Sequence, residues 1–171
     1  MKAIRKRNFI RRNDYWGLMV IVASLLVAIV LSILPLPSWM ISFWPLWVAL
    51  VIIFWSAYLP NLVSLWLVWF VGLFQDVLQG SLLGEHALAC IVVSFMASAM
   101  SHQIKLFSLW QQMIKIGIIL IIYQLIVIVF EGWSINHCVL FVCPLLTSLV
   151  IWPWILVLMR GIAVRFYIHR L

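Results

Sequence analysis

Between positions 72 and 86, glycines and polar residues interrupt an otherwise apolar stretch of the chain. Gly72, Asp76 and Gly80 recur every four residues, so on a helix they share one side, drifting by about 40° per step. Glycines on a helix face let a second helix approach closely. A carboxylate there has three interpretations: a structural group that joins two helices, a proton or ion relay, or a contact to a partner helix. These residues, with Gly84, are the candidate helix-packing or partner-interface site.

Other residues that could bind a metal or take part in catalysis are scattered along the chain. Two Glu and two His residues fall in segments that we expect on one side of a membrane, and in principle they could bind Zn²⁺: Glu85, His86, Glu131 and His137. Their spacing does not require a metal, so we expect solvated loop residues. The chain has no P-loop, G-x-S-x-G or H-E-x-x-H motif. We therefore expect no enzyme, no metal and no cofactor.

Composition restricts the class of protein. The chain has 171 residues, of which 67% are apolar and 9% charged, and the mean hydropathy is +1.22. Soluble domains are roughly 45–50% apolar and about 25% charged. One globular core cannot hide this much apolar surface. A soluble enzyme, a disulfide scaffold and a disordered tail are excluded, which leaves an all-α integral membrane protein with one transmembrane domain over 1–171.

Six stretches are apolar enough to be membrane-spanning helices: 15–34, 46–59, 62–79, 87–101, 113–130 and 139–159. The second has only 14 residues, about 21 Å of helix, so the number of spans is five if it is re-entrant. The first is too long for the core of a signal peptide and is expected to remain uncleaved. Pro153 lies inside the last stretch and is predicted to kink it.

The positive charges predict the topology. The formal net charge is +7, from eleven Lys and Arg against four Asp and Glu. With the N-terminus in the cytoplasm, ten of the eleven basic residues fall in the inner segments 1–14, 60–61, 102–112 and 160–171. The outer segments 35–45, 80–86 and 131–138 carry none. Both termini are therefore predicted to be cytoplasmic. Basic clusters beside apolar spans favour contact with anionic lipid over nucleic acid.

Two inner segments are predicted to lie on the membrane surface. In 103–115, Lys105, Gln111, Gln112 and Lys115 fall at helical spacing, with Ile104, Trp110 and Ile114 opposite. This pattern is typical of an amphipathic turn that lies on the inner leaflet before the fifth span. The candidate cytoplasmic interface residues are Lys105, Trp110, Gln111 and Lys115. The basic tail 160–171 is expected to lie on the same surface.

The glycine and aspartate run also resembles a family motif, G-x-x-x-D-x-x-x-G-x-x-x-G-x-x-A-L, in which the chain has Gly72, Asp76, Gly80, Gly84 and Ala87-Leu88. Two other blocks match in order, Leu109-Trp110-Gln111-Gln112 and Trp152-Pro153-Trp154 through Leu158-Met159-Arg160. The whole resembles the MreD family of bacterial rod shape-determining proteins. At Pro45-Leu46-Trp47 the chain departs from the family, because Leu46 stands where many relatives have Asn or Asp.

The resemblance implies a non-catalytic protein of the bacterial inner membrane that binds the single-span protein MreC. It implies membership of the cell-elongation complex with MreB, RodA and a class B penicillin-binding transpeptidase. It also implies a fold similar to the substrate-binding subunit of energy-coupling-factor vitamin transporters. A small-molecule-binding transporter subunit is therefore the alternative function, and homo-oligomerisation is left open.

Overall fold

The computed structural model describes residues 12–35, 37, 43–106, 108–131 and 137–167, and within these the side chains of 17–130 and 141–163. The described residues form seven helices and no strand, which confirms the all-α prediction. The helices are α1 Arg12–Ile33, α2 Trp47–Tyr58, α3 Leu65–Gln79, α4 Glu85–Ala99, α5 Ser101–Leu106, α6 Leu109–Glu131 and α7 His137–Tyr167.

Helix α2 is the centre of the fold. Its sequence is apolar on every side, and all ten residues from Val48 to Ala57 are buried. A helix without a polar face must be covered all round, and α1, α4, α5 and α7 pack against it. Two polar contacts fix its position: Trp55 Nε1 donates to Ser24 Oγ of α1 at 2.8 Å, and Ser56 and Ser94 Oγ atoms of α2 and α4 lie 2.8 Å apart.

Six of the helices are apolar, and they differ in length. Leu109–Phe130 and Phe141–Ala163 are long and apolar enough to cross a membrane. The shorter apolar helices are Gly17–Ile33, Trp47–Tyr58, Leu65–Gln79 and Glu85–Ala99. A helix of twelve residues such as α2 is about 18 Å long, against about 30 Å of hydrocarbon. That all six cross the bilayer stays a prediction.

Large apolar side chains are exposed in rows along the outward faces of several helices. On α3 the row comprises Trp66, Phe70, Phe74 and Val77, and on α7 it includes Val150, Trp154 and Val157. Contiguous apolar surface of this kind is unfavourable in water and marks contact with lipid or with another protein. The core packing of the bundle therefore leaves faces that need a non-aqueous environment.

The segment 103–115, predicted as an amphipathic turn on the inner leaflet, divides between α5 and the start of α6. Gln112, expected on its polar side, is buried, whereas Trp110, at 78%, and Ile114 are exposed. The position of the segment on the membrane surface stays a prediction. Helix α7 continues to Tyr167, past the predicted end of the last span at 159, and the position of that end in the bilayer stays a prediction. Pro144 and Pro153 both lie inside α7, and the predicted kink at Pro153 stays a prediction.

Candidate functional site

Helices α3 and α4 are in close contact at Gly72. A Cβ atom placed on Gly72 would lie 2.3 Å from Ala87 Cα and 2.8 Å from Ala87 N. Side-chain atoms do not approach backbone atoms so closely, so only glycine allows the two helices to meet at this distance. The sequence predicted a close helix approach at this face, and the structure puts α4 against it.

Asp76 lies one turn further along α3, and its carboxylate is fully buried. Oδ2 accepts a hydrogen bond from Gly84 N at 2.8 Å, and Oδ1 accepts one from His86 N at 2.8 Å. Oδ1 also lies 2.9 Å from His86 Nδ1 and accepts from Ser81 Oγ at 3.2 Å. Both oxygens thus serve as acceptors, and three donors and the His86 ring nitrogen, all from one short segment, surround a single side chain.

These bonds cap the N-terminus of α4. The first N–H groups of a helix have no partner within the helix, and the N-cap residue usually supplies an oxygen for them. Here the N-cap is Gly84, which has no side chain. Asp76 supplies that oxygen from the preceding helix, with a negative charge at the positive end of the α4 dipole. The single side chain of Asp76 therefore links α3 to α4 and caps the start of α4.

The turn between the helices depends on two glycines in the left-handed region. Gly80 has φ 68° and Gly84 has φ 103°, and at neither would an added Cβ meet an atom within 4 Å. Their role is therefore backbone conformation. For Gly80 this differs from the close helix approach that its spacing suggested. We call Gly72, Asp76, Gly80, Ser81, Gly84 and His86 the α3–α4 clasp.

His86 extends the clasp toward α6. With Nδ1 beside Asp76, its ring lies edge-on to Tyr123, with centroids 6.2 Å apart. The expectation that Glu85 and His86 are solvated loop residues is wrong, because both are buried at the start of α4. The side chains of Glu131 and His137 lie outside the described ones. In the part of the chain that the structure describes, no three His, Cys, Asp or Glu residues are grouped to hold a metal ion.

A cavity of about 260 Å³ lies beside the clasp. Its polar lining comes from four helices, α1, α3, α4 and α6: Ser32, Gln75, Gln79, His86, Tyr123 and Gln124. Trp44 and Trp47 line it from the start of α2 and the segment before it. Sequence reasoning missed Tyr123 and Gln124. Their signal is a polar pair in the middle of an apolar stretch of membrane-spanning length, where polar groups indicate function.

A second group of polar contacts involves basic residues on α5, α6 and α7. Arg160 Nε donates to Tyr58 Oη at 3.0 Å, and its guanidinium lies 5.4 Å from the centroid of that ring. Lys115 Nζ donates to Gln103 Oε1 at 2.7 Å. Lys105 on α5 and Gln111 on α6 are exposed. The predicted interface residues thus lie on the surface at the ends of α5 and α6, and we call this region, with Arg160, the basic end.

A family model and a curated relative both match this chain, and both carry the same description. The family model described as rod shape-determining protein MreD matches residues 13–162. A curated relative, the rod shape-determining protein MreD of Haemophilus influenzae, is 29% identical over 153 residues, which cover 87% of this chain and 93% of the relative. No solved structure matches, so the expected similarity to a transporter subunit stays a prediction. The family match extends over the clasp, the cavity and Arg160.

Proposed function

The chain belongs to the MreD family of rod shape-determining proteins, and from this membership we propose that it is a non-catalytic scaffold of the bacterial inner membrane. Its family places it in a cell-shape role. In our proposal it binds MreC directly and helps to couple MreB filaments to wall synthesis by RodA and a class B penicillin-binding transpeptidase. The observation that carries the proposal is the family match, which spans nearly the whole chain.

The exposed row of α3 is the surface that we propose for MreC. It presents three large aromatic residues, Trp66, Phe70 and Phe74, on one side of the helix. Aromatic side chains are enriched among the residues that dominate binding energy at interfaces. A partner with a single membrane span offers one helix, and packing along a helix face is the contact that two such elements make.

The clasp supports this surface from behind. Gly72 and Asp76 lie on the face of α3 that meets α4, whereas Phe70 and Phe74 point away from the bundle. Fixing the buried face fixes the rotation and tilt of the helix, and therefore the position of the exposed row. A loss of the clasp should displace the MreC-binding surface without any change in the residues that contact MreC.

Co-purification with MreC from the same bacterium tests the proposal. The double variant Phe70→Ala with Phe74→Ala alters only exposed side chains of α3, and it should reduce the MreC retained by several-fold. The matched control, Val150→Ala with Val157→Ala on α7, truncates side chains of similar exposure, 68% and 72% against 61% and 51%, and should retain MreC. Equal retention by the two double variants would contradict the α3 surface.

Variants of the clasp test the second step. Asp76→Ala and Gly80→Leu should lower MreC retention and produce rounded cells, while Gly161→Ala, where an added Cβ meets nothing within 4 Å, should behave as wild type. If both clasp variants accumulate normally and retain the full amount of MreC, the supporting role of the clasp is wrong. If no form of the protein retains MreC, the scaffold proposal itself fails.

A further inference from the structure

One positive charge lies inside an apolar helix segment without a carboxylate to offset it. Arg160 belongs to the apolar stretch Phe141–Ala163 of α7, which is long enough to cross a membrane, and it lies about one helical turn before the end of that stretch. Among the residues that the structure describes, no Asp or Glu side chain pairs with it. A charge at this depth is costly in hydrocarbon unless a counter-charge is close. The arginine therefore needs an anion from outside the described fold.

The fold fixes the direction of the Arg160 side chain. Its Nε and Nη2 atoms both donate to Tyr58 Oη, the Nε atom at 3.0 Å. The Tyr58 ring is stacked on Phe54, with centroids 4.5 Å apart and planes 18° apart, and Phe54 is fully buried in the core. The guanidinium is thus held against the end of α2, so the long side chain has less freedom to lose when it binds an anion.

The edge of the guanidinium that Tyr58 leaves free matches a phosphate group. A guanidinium carries N–H donors on all three nitrogens, and Tyr58 accepts from Nε and Nη2 only. The N–H groups that remain on Nη1 and Nη2 lie in parallel along one edge, which is the arrangement that binds two phosphate oxygens at once. Because Arg160 is exposed, an anion can approach this edge from the surface of the protein.

An apolar surface adjoins this charged edge. Val157 precedes Arg160 by three residues, so the two side chains are neighbours on the surface of α7. With Val150 and Trp154, Val157 belongs to the row of exposed apolar side chains along the same helix. A soluble anion would use only the guanidinium, whereas a lipid uses both parts, because its phosphate lies at the edge of the hydrocarbon and its acyl chains extend inward along the helix. The combination selects an amphiphile with a negative headgroup.

We propose that the free edge of Arg160, oriented by Tyr58, binds the phosphate of an anionic phospholipid whose acyl chains lie along Val150, Trp154 and Val157. A zwitterionic headgroup is the poorer ligand, because its own positive group competes with the guanidinium for the phosphate. A scaffold that binds MreC needs no such lipid, so this inference is independent of the proposed function.

Native mass spectrometry tests the proposal on the full chain, released from nanodiscs that contain equal amounts of phosphatidylglycerol and phosphatidylcholine. The wild type should retain phosphatidylglycerol in preference to phosphatidylcholine. Arg160→Lys keeps the charge but loses the paired N–H groups, and it should reduce this enrichment roughly fivefold. Tyr58→Phe keeps the ring that stacks on Phe54 and removes only the hydroxyl, so it releases the guanidinium and should reduce the enrichment about twofold to threefold. Because Tyr58→Phe leaves the Arg160 side chain in place, it tests the site even if Arg160→Lys does not fold.

Two controls separate this site from general attraction between opposite charges. Lys105→Arg also keeps a positive charge while it changes the donor group, at an exposed position of α5, and it should leave the enrichment unchanged. An excess of sn-glycerol 3-phosphate, which has a phosphate but no acyl chains, should not displace the lipid. Displacement would identify a site for soluble anions and overturn the lipid proposal. The proposal is also overturned if the wild type shows no enrichment, or if Arg160→Lys and Tyr58→Phe both retain it as Lys105→Arg does.

Discussion

The α3–α4 clasp and the basic end lie on different helices, the first on α3 and α4 and the second on α5, α6 and α7, and they are built in opposite ways. The clasp combines three features around one short connection: the buried carboxylate of Asp76, the close helix contact at Gly72, and the left-handed backbone of Gly80 and Gly84. At the basic end, Lys105, Gln111 and Arg160 are exposed, and Arg160 makes its contacts to one tyrosine ring. The first region is cooperative, while the second is a set of separate surface contacts.

This difference predicts different responses to substitution. Each clasp residue meets a geometric or hydrogen-bonding requirement that few other residues meet, so single changes should be severe. Exposed ion pairs and hydrogen bonds contribute about 0–1 kcal/mol each. Changes at the basic end should therefore leave the fold intact and alter only the binding of other molecules to that surface.

Gly72→Ala should have the largest effect on the free energy of unfolding. The new Cβ would lie 2.3 Å from the Ala87 backbone, so α3 and α4 must separate, at a cost of about 3 kcal/mol or more. Gly117→Ala on α6 is the matched control, because its Cβ would lie 3.6 Å from the methyl groups of Leu149. There the better helix propensity of alanine should stabilise by up to about 1 kcal/mol.

Chemical or thermal unfolding in one detergent, followed by circular dichroism, measures both variants. Equal stability of the two alanine variants would show that α3 and α4 do not meet at Gly72. The clasp would then lose its cooperative character, and the comparison between the two regions would weaken accordingly.

Asp76→Asn should cost about 2 kcal/mol, since an amide accepts through one oxygen only and leaves a buried N–H of Gly84 or His86 unpaired. Ser81→Ala removes the longest of the four contacts, at 3.2 Å, and should cost about 0.5–1 kcal/mol. Hydrogen exchange at the first turn of α4 is the direct measurement. If those amides exchange as slowly in Asp76→Asn as in the wild type, the carboxylate of Asp76 does not act as the cap of α4.

Sequence reasoning found Gly72, Asp76, Gly80 and Gly84 of the clasp because glycine and aspartate are costly in an apolar helix and their spacing of four is visible. It expected His86 in a solvated loop instead. It did not find the cap, because the donors Gly84 N and His86 N are backbone groups that no residue pattern displays. It assigned Gly80 to helix contact, since spacing alone cannot separate a glycine needed for space from one needed for φ. The structure separates them by what a Cβ would meet.

The helices themselves followed from apolar runs and from proline and glycine breaks, and α2 lies at Trp47–Tyr58 against a prediction of 46–59. Over 103–115 the periodicity argument assumed one continuous helix, whereas the segment divides between α5 and the start of α6. The cavity also escaped prediction, because its lining residues are far apart in sequence and only the packing of four helices brings Gln75 and Tyr123 together.

Gly80→Val and Gly80→Asn should separate conformation from contact within the clasp. At φ 68°, ψ 23°, valine is disfavoured by its branched Cβ, at a cost of about 1–2 kcal/mol. Asparagine tolerates the left-handed region and should lose less than half as much. Because no atom lies within 4 Å of the added Cβ, side-chain size cannot explain the difference. Equal losses in a denaturation series would point to an unrecognised contact at this turn.

Lys105→Gln should have the smallest effect on stability, within about 0.5 kcal/mol of wild type. Its effect should appear instead in binding to anionic lipid, because a basic residue near a membrane surface contributes about 1 kcal/mol, roughly fivefold in affinity. The exchange of phosphatidylglycerol molecules bound to the protein in nanodiscs measures this lipid affinity. Gln111→Ala on the neighbouring helix is the control. A change in unfolding free energy as large as that of Asp76→Asn would mean that the basic end is also a packed site, and the contrast between the two regions would not hold.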